Sequence, residues 1–116
     1  MKNFIIDNKR RLKNRHYLLK ANQERHWFNA MPSRMDDFKR IYGDRFCLVL
    51  YRDGADDAYV LPYGAIAFLF TDRNLQPWRG SERWHGSIRG GFLELRGTKD
   101  TLNVKNYHNA FDLLSN

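Results

Sequence analysis

At 116 residues the chain has room for one domain's core and little more. Aromatic residues make up 15% of it, too many for a chain that stays unfolded, and no run approaches the about 20 apolar residues that a membrane helix needs. Twenty Lys and Arg against 13 Asp and Glu leave a net charge of +7, a surplus that attracts polyanions, nucleic acid being the commonest.

From Asp7 to Met31 there is no Gly or Pro, and good helix formers dominate, so a helical arm is expected there, capped by Asp7 or Asn8 and ended by Pro32. Leu12, Leu18, Leu19, Trp27 and Phe28 fit a helical stripe imperfectly, which allows a break near Asn22. The arm carries Lys9, Arg10, Arg11, Lys13 and Arg15, followed by Lys20. Six cations in 12 residues exceed what solubility requires, although a solvated helix face would also carry them. Ser33 to Tyr42 reads as a second helix, with Ser33 as N-cap, Asp36 and Asp37 in the first turn, Lys39 and Arg40 in the last, and Gly43 beyond. The helix dipole accounts for those charges.

Strand signals begin at Arg45. Phe46 to Tyr51 is β-branched and aromatic, Asp53-Gly54 marks a turn running to Asp57, and Ala58 to Leu61 is the returning strand. Pro62 can open a helix that runs through Phe70, while Ile66 to Phe70 equally suits a buried strand. Thr71 to Ser81, with Pro77 and Gly80, reads as an exposed loop. Arg83 to Arg89 alternates polar and apolar residues, Gly90-Gly91 makes a two-residue turn, and Phe92 to Arg96 is the partner strand. Thr101 to Val104 adds a short strand and Tyr107 to Leu114 a short helix. The expected fold class is α+β, in a single domain: an N-terminal helical arm (1–42) packed on a small, mostly antiparallel, barrel-like sheet (43–116).

No motif for catalysis is present. His16, His26, His85 and His108 lack the close pairs of zinc sites, and there is no nucleophile elbow or Gly-rich phosphate loop. Glu94-Leu95-Arg96 is a distorted form of a nuclease Glu-x-Lys, with Arg where a titratable Lys is wanted. No enzyme activity, metal or cofactor is therefore expected. Cys47, alone in an apolar run, cannot form an internal disulfide and reads as a buried structural thiol. With no secretory signal ahead of the first charged segment, a reducing, cytoplasmic location is expected, with no membrane partner.

The segment from Asp72 to Arg89 holds the constellation best suited to binding. Arg73, Arg79, Arg83 and Arg89 are interleaved with Trp78, Trp84 and His85, opposed only by Asp72 and Glu82. Arginine clamps phosphate or grips guanine, and tryptophan stacks on an unpaired base. Trp84, at an inward strand position, is expected in the core; Trp78, after Pro77 in a loop, is the better contact.

The order Tyr59-Val60-Leu61-Pro62-Tyr63, Arg83-Trp84-His85-Gly86-Ser87-Ile88 and Phe92-Leu93-Glu94-Leu95 resembles accessory DNA-reading domains of bacterial restriction systems, of the DNA-binding pseudobarrel type. The resemblance covers Phe46 to Leu114. It implies a pseudobarrel whose loops bring Arg73, Arg79 and Arg83 into a groove of duplex DNA. No nuclease module accompanies it, which leaves a stand-alone reader or the DNA-reading subunit of a separately encoded nuclease. Pro62-Tyr63-Gly64-Ala65 is similar to the apolar pocket with which phosphorothioate-DNA readers receive sulfur, which would make Pro62, Tyr63 and Ala65 a pocket. Leu61 stands where a Tyr is usual.

Two other readings fit the composition. One is a protein-interaction subunit or small phage- or plasmid-borne inhibitor with a basic face, since Trp, Tyr and Arg also favour protein interfaces. The other is RNA or single-strand binding, which the tryptophans would serve by stacking.

Overall fold

Cys47 to Tyr51 is an unbroken apolar and aromatic run, and such a strand needs cover on both faces and partners on both edges. The computed structural model, which describes residues 7–12, 15–21, 26–52 and 57–115, supplies both. The elements in chain order are α1 (Lys9–Leu12), β1 (Tyr17–Lys20), β2 (Phe28–Ala30), α2 (Pro32–Tyr42), β3 (Cys47–Tyr51), β4 (Ala58–Pro62), α3 (Tyr63–Ile66), β5 (Gln76–Trp78), β6 (Ser81–Arg89), β7 (Phe92–Leu95) and β8 (Thr101–Asn103). Short 3₁₀ turns cover Asp72–Asn74, Lys105–Tyr107 and Phe111–Ser115.

β3 is the centre of a three-stranded sheet, parallel to β1 on one edge and antiparallel to β4 on the other. All five of its residues are buried. Leu48 and Leu50 face the larger core, with Tyr17, Phe46, Leu61, Trp84, Ile88 and Leu93. Cys47, Val49 and Tyr51 face the opposite side, where Leu12 of α1 and Leu114 near the C-terminus complete a smaller core. Burial pushes the Cys47 thiol up to about 11, in keeping with a structural role. His16 ties this second core together. Its Nδ1 accepts the Cys47 N–H at 3.0 Å, and its Nε2–H donates to the Leu114 carbonyl at 3.0 Å. That pair of bonds requires the neutral ring, and burial lowers its pKa accordingly.

The second sheet has five strands, with β6 paired to β2, β5 and β7, and β7 to β8, all antiparallel. Its inner face gives Phe28, Trp84, Ile88, Leu93 and Leu95 to the larger core. The architecture is thus mixed α and β with mostly antiparallel strands, as expected, but the sheets do not close into a barrel. The edge strands β1 and β2 face each other without pairing.

The helical arm is a second correction. Among the described residues from Asp7 to Met31 only Asp7 and α1 are helical, and Tyr17–Lys20 and Phe28–Ala30 are strands. Helix propensity there lost to pairing with β3 and β6, which a local reading cannot see. Lys13, the suggested break at Asn22 and the Asp53-Gly54 turn lie outside the described residues. α2 forms where expected but starts at Pro32, with Met31 in the cap position and no side-chain cap from Ser33. Proline's missing N–H and fixed φ suit the first helical position, and the earlier start moves Asp36 and Asp37 out of the first turn. The helix proposed after Pro62 lasts only from Tyr63 to Ile66, and the C-terminal helix is two 3₁₀ turns.

Gly86 sets how closely the second sheet packs. A Cβ there would meet the Glu94 carbonyl and Leu95 Cδ2 at 2.6 Å and Phe28 Cζ at 2.7 Å. Gly86→Ala is expected to lower unfolding free energy by about 3 kcal/mol, through overpacking against backbone that cannot yield. Urea unfolding checks this; an unchanged midpoint would contradict the packing described.

Candidate nucleic-acid interface

Side chains alternate along a strand, so the register of β6 sorts its residues between the core and the outside. Trp84, Gly86 and Ile88 point inward. Trp84 is buried, as expected, and its indole N–H donates to the Thr71 carbonyl at 2.8 Å. Arg83, His85, Ser87 and Arg89 share the outer face, and cross-strand pairing adds Asn29 opposite His85, Glu94 opposite Ser87 and Phe92 opposite Arg89. The sequence candidates Trp78, Arg83, His85 and Arg89 are therefore brought onto one surface.

The expected loop from Thr71 to Ser81 is instead a 3₁₀ turn followed by β5, which pairs with the start of β6. Arg79 and Gly80 form the two-residue turn between them, both with positive φ, +45° and +83°. Such a turn matches the twist of a hairpin but costs a non-glycine residue about 1 kcal/mol. The Arg79 side chain turns back, with its guanidinium 5.1 Å from the Trp78 ring centre. Trp78 packs on His85 at 5.0 Å between ring centres.

Further rings and cations on this surface were not singled out by the sequence. Trp27 and Phe92 are 37% and 38% exposed, high for such large rings. Arg96 lies 5.7 Å from the Trp27 ring centre and Lys105 5.3 Å from that of Phe92. The signal for Arg96 was available, since it continues the outer alternation of β7. Trp27 was hidden by its assignment to a helix.

Two of the arginines are tied down. Arg83 donates to Asn29 Oδ1 at 2.8 Å, and Arg89 to Glu94 Oε1 at 3.2 Å. His85 is buried beneath Trp78; burial first, then the charges of Arg96 and Arg83, lower its pKa. The face is a row of rings separated by guanidinium groups, with Glu94 the acid among its cross-strand pairs.

The other candidates lie elsewhere. Arg73 is exposed on the Asp72–Asn74 turn ahead of β5. Lys9, Arg10 and Arg11 belong to α1 and Arg15 follows it, and α1 packs on the Phe111–Ser115 turn across the smaller core. That core covers the side of β3 turned away from the second sheet, so the basic arm does not extend the β6 face. Pro62, Tyr63 and Ala65 sit where β4 passes into α3. The Tyr63 ring is buried, stacked on Phe46 at 4.9 Å, with the Lys39 ammonium 5.6 Å from its centre.

A separate polar cluster surrounds Asp57. Arg52 pairs with Oδ2, while His26 and His108 place Nε2 at 3.3 and 2.9 Å from Oδ1. Among the described residues no group of three His, Cys, Asp or Glu side chains is arranged to hold a metal ion; Asp57 is committed to Arg52. Because Arg52 already balances the carboxylate, a proton on His26 would add uncompensated charge. Burial, helped by Arg52 and His108, lowers its pKa to about 4.

Comparison of the chain with protein-family models, curated proteins and solved structures finds no match.

The unfolded chain binds a proton at His26 near pH 6.5, and the native state only near pH 4, so native stability falls with pH across that window. The stability difference between wild type and His26→Gln is expected to shift by about 3 kcal/mol against wild type from pH 7.5 to 4. Denaturant titrations at both pH values check it, and a constant difference would contradict it.

Proposed function

We propose that the protein is a non-catalytic nucleic-acid-binding module that lays a polynucleotide across the outer face of β2, β6 and β7. The observation that carries this is the shared face itself: Trp27, Trp78 and Phe92 alternate there with Arg79, Arg83, Arg89 and Arg96. Rings on a shared face give bases a stacking surface, and guanidinium groups beside them meet the phosphates between.

An unpaired strand suits this arrangement better than the duplex implied by the restriction-domain resemblance. A duplex keeps its bases stacked on one another, which leaves the exposed Trp27 and Phe92 rings and the half-buried Trp78 without a role. Arg83, expected on a groove-entering loop, lies within a strand, and the expected loop before it closes in the tight Arg79-Gly80 turn. A role in a restriction-type system, with a nuclease subunit as partner, rests on the resemblance alone.

Fluorescence anisotropy with a labelled unpaired 12-mer, the matching duplex and an RNA of the same sequence tests the proposal over a salt series. About four phosphate contacts give a slope of log K against log salt near −3 for a single strand. Trp78→Ala is expected to weaken binding of the unpaired strand by about tenfold or more, since one base–ring stack is worth about 1–3 kcal/mol. Absence of binding to all three probes at low salt, or a Trp78→Ala variant that binds as wild type does, would refute the assignment.

A further inference from the structure

Because β1 and β2 face each other without pairing, a groove of about 560 Å³ runs between the two sheets, within the range of small-ligand clefts. Tyr17 and Lys20 of β1 line one side, Trp27 and Asn29 the other, and Arg34 of α2 and Arg83 of β6 also reach it. No carboxylate is among the described residues that line it. Trp27, Asn29 and Arg83 also belong to the sheet face described above, so the groove continues that face past its edge.

Tyr17 gives the groove its chemistry. The residue is 2% exposed, and its phenol oxygen accepts the Met31 N–H at 2.9 Å. Among the described residues, none accepts the hydroxyl proton. The Arg34 guanidinium lies 5.5 Å from the Tyr17 ring centre, and Asn29 holds Arg83 within the groove. Burial raises the phenol's pKa against the pull of the Met31 N–H and both arginines, so it stays a donor at working pH. Arg34 also stands in the first turn of α2, an 11-residue helix with no side-chain cap. A cation at the positive end of a helix is unfavourable for folding. An anion bound beside it would reverse that sign.

We propose that this groove is a phosphate site of the bound strand, in which the Tyr17 hydroxyl, Arg34 and Arg83 hold one phosphate group while Trp27 flanks the attached nucleoside. The proposal rests on the nucleic-acid reading above. One hydroxyl donor and two guanidinium forks match a phosphate's several acceptor oxygens, and the ring beside them suits a nucleoside.

Two variants test it. Tyr17→Phe keeps the ring under Arg34 and removes the proton donor, while Arg34→Gln alters an exposed side chain and leaves the core intact. Each is expected to weaken binding of the unpaired 12-mer by about tenfold, the loss of one charge-assisted hydrogen bond. Arg34→Gln is also expected not to lower the thermal midpoint, which separates lost binding from lost folding. In NMR titrations, adenosine 5′-monophosphate should shift the Trp27 indole N–H of the wild type and not of Arg34→Gln. Adenosine without phosphate should leave it unmoved, and orthophosphate should compete at higher concentration.

If both variants bind the 12-mer as wild type does while Trp78→Ala does not, the groove assignment is wrong and the sheet face stands. If the wild type binds no oligonucleotide, the sheet-face reading fails, and the monophosphate titration alone then supports or overturns the groove. An acidic peptide that displaces the monophosphate at equal concentration would overturn it in favour of a protein partner.

Discussion

The register of β6 ties the core to the outer surface. Nine residues long, it pairs with three other strands, and its alternation decides what the second sheet buries and what it displays. A slip of one residue would carry Trp84 and Ile88 into solvent and Arg83 and Arg89 into the core. Two features hold the register: the Trp84 indole bond to Thr71, and Gly86, where Phe28 and Leu95 approach too closely for any side chain. The proposed function is thus the outward side of a pattern whose inward side is the fold.

The outer face runs against what folding alone would favour. Arg79 occupies a left-handed turn position, Arg34 opposes the dipole of its own helix, and burial with two neighbouring guanidinium groups holds His85 toward neutrality. The Arg79 and Arg34 arrangements cost some stability and put guanidinium groups where a polyanion would meet them, while the buried His85 supports the Trp78 ring. The Asp57 cluster differs: its charges are mutually engaged, and its effect falls on stability toward acid.

Local signals were faithful where structure is local. The Gly90-Gly91 hairpin, the β3 run, the returning strand at Ala58 and the polarity of Lys39 and Arg40 at the end of α2 are each set within a few residues. β1 and β2 were illegible because their residues are acceptable helix formers whose partners lie some thirty to sixty positions away. The Trp78-Arg79-Gly80-Ser81 turn was hidden because arginine is not a usual left-handed residue. Of the candidate site, the part on β6 was readable from alternation alone, whereas β5 was read as a loop. The groove was not: Lys20 was counted with the cations of a helical arm and Arg34 drew no notice, and only the gap between the two sheets brings them to Tyr17.

Amide and side-chain NMR mapping of the wild type during titration with an unpaired oligonucleotide would locate the bound strand on the molecule. Shifts should concentrate on Trp27, Trp78, Arg83, Ser87, Arg89 and Arg96, with little change at Asp57, His108 and α1. Shifts centred on α1 and the C-terminal turns, with the outer face of β6 silent, would contradict the account.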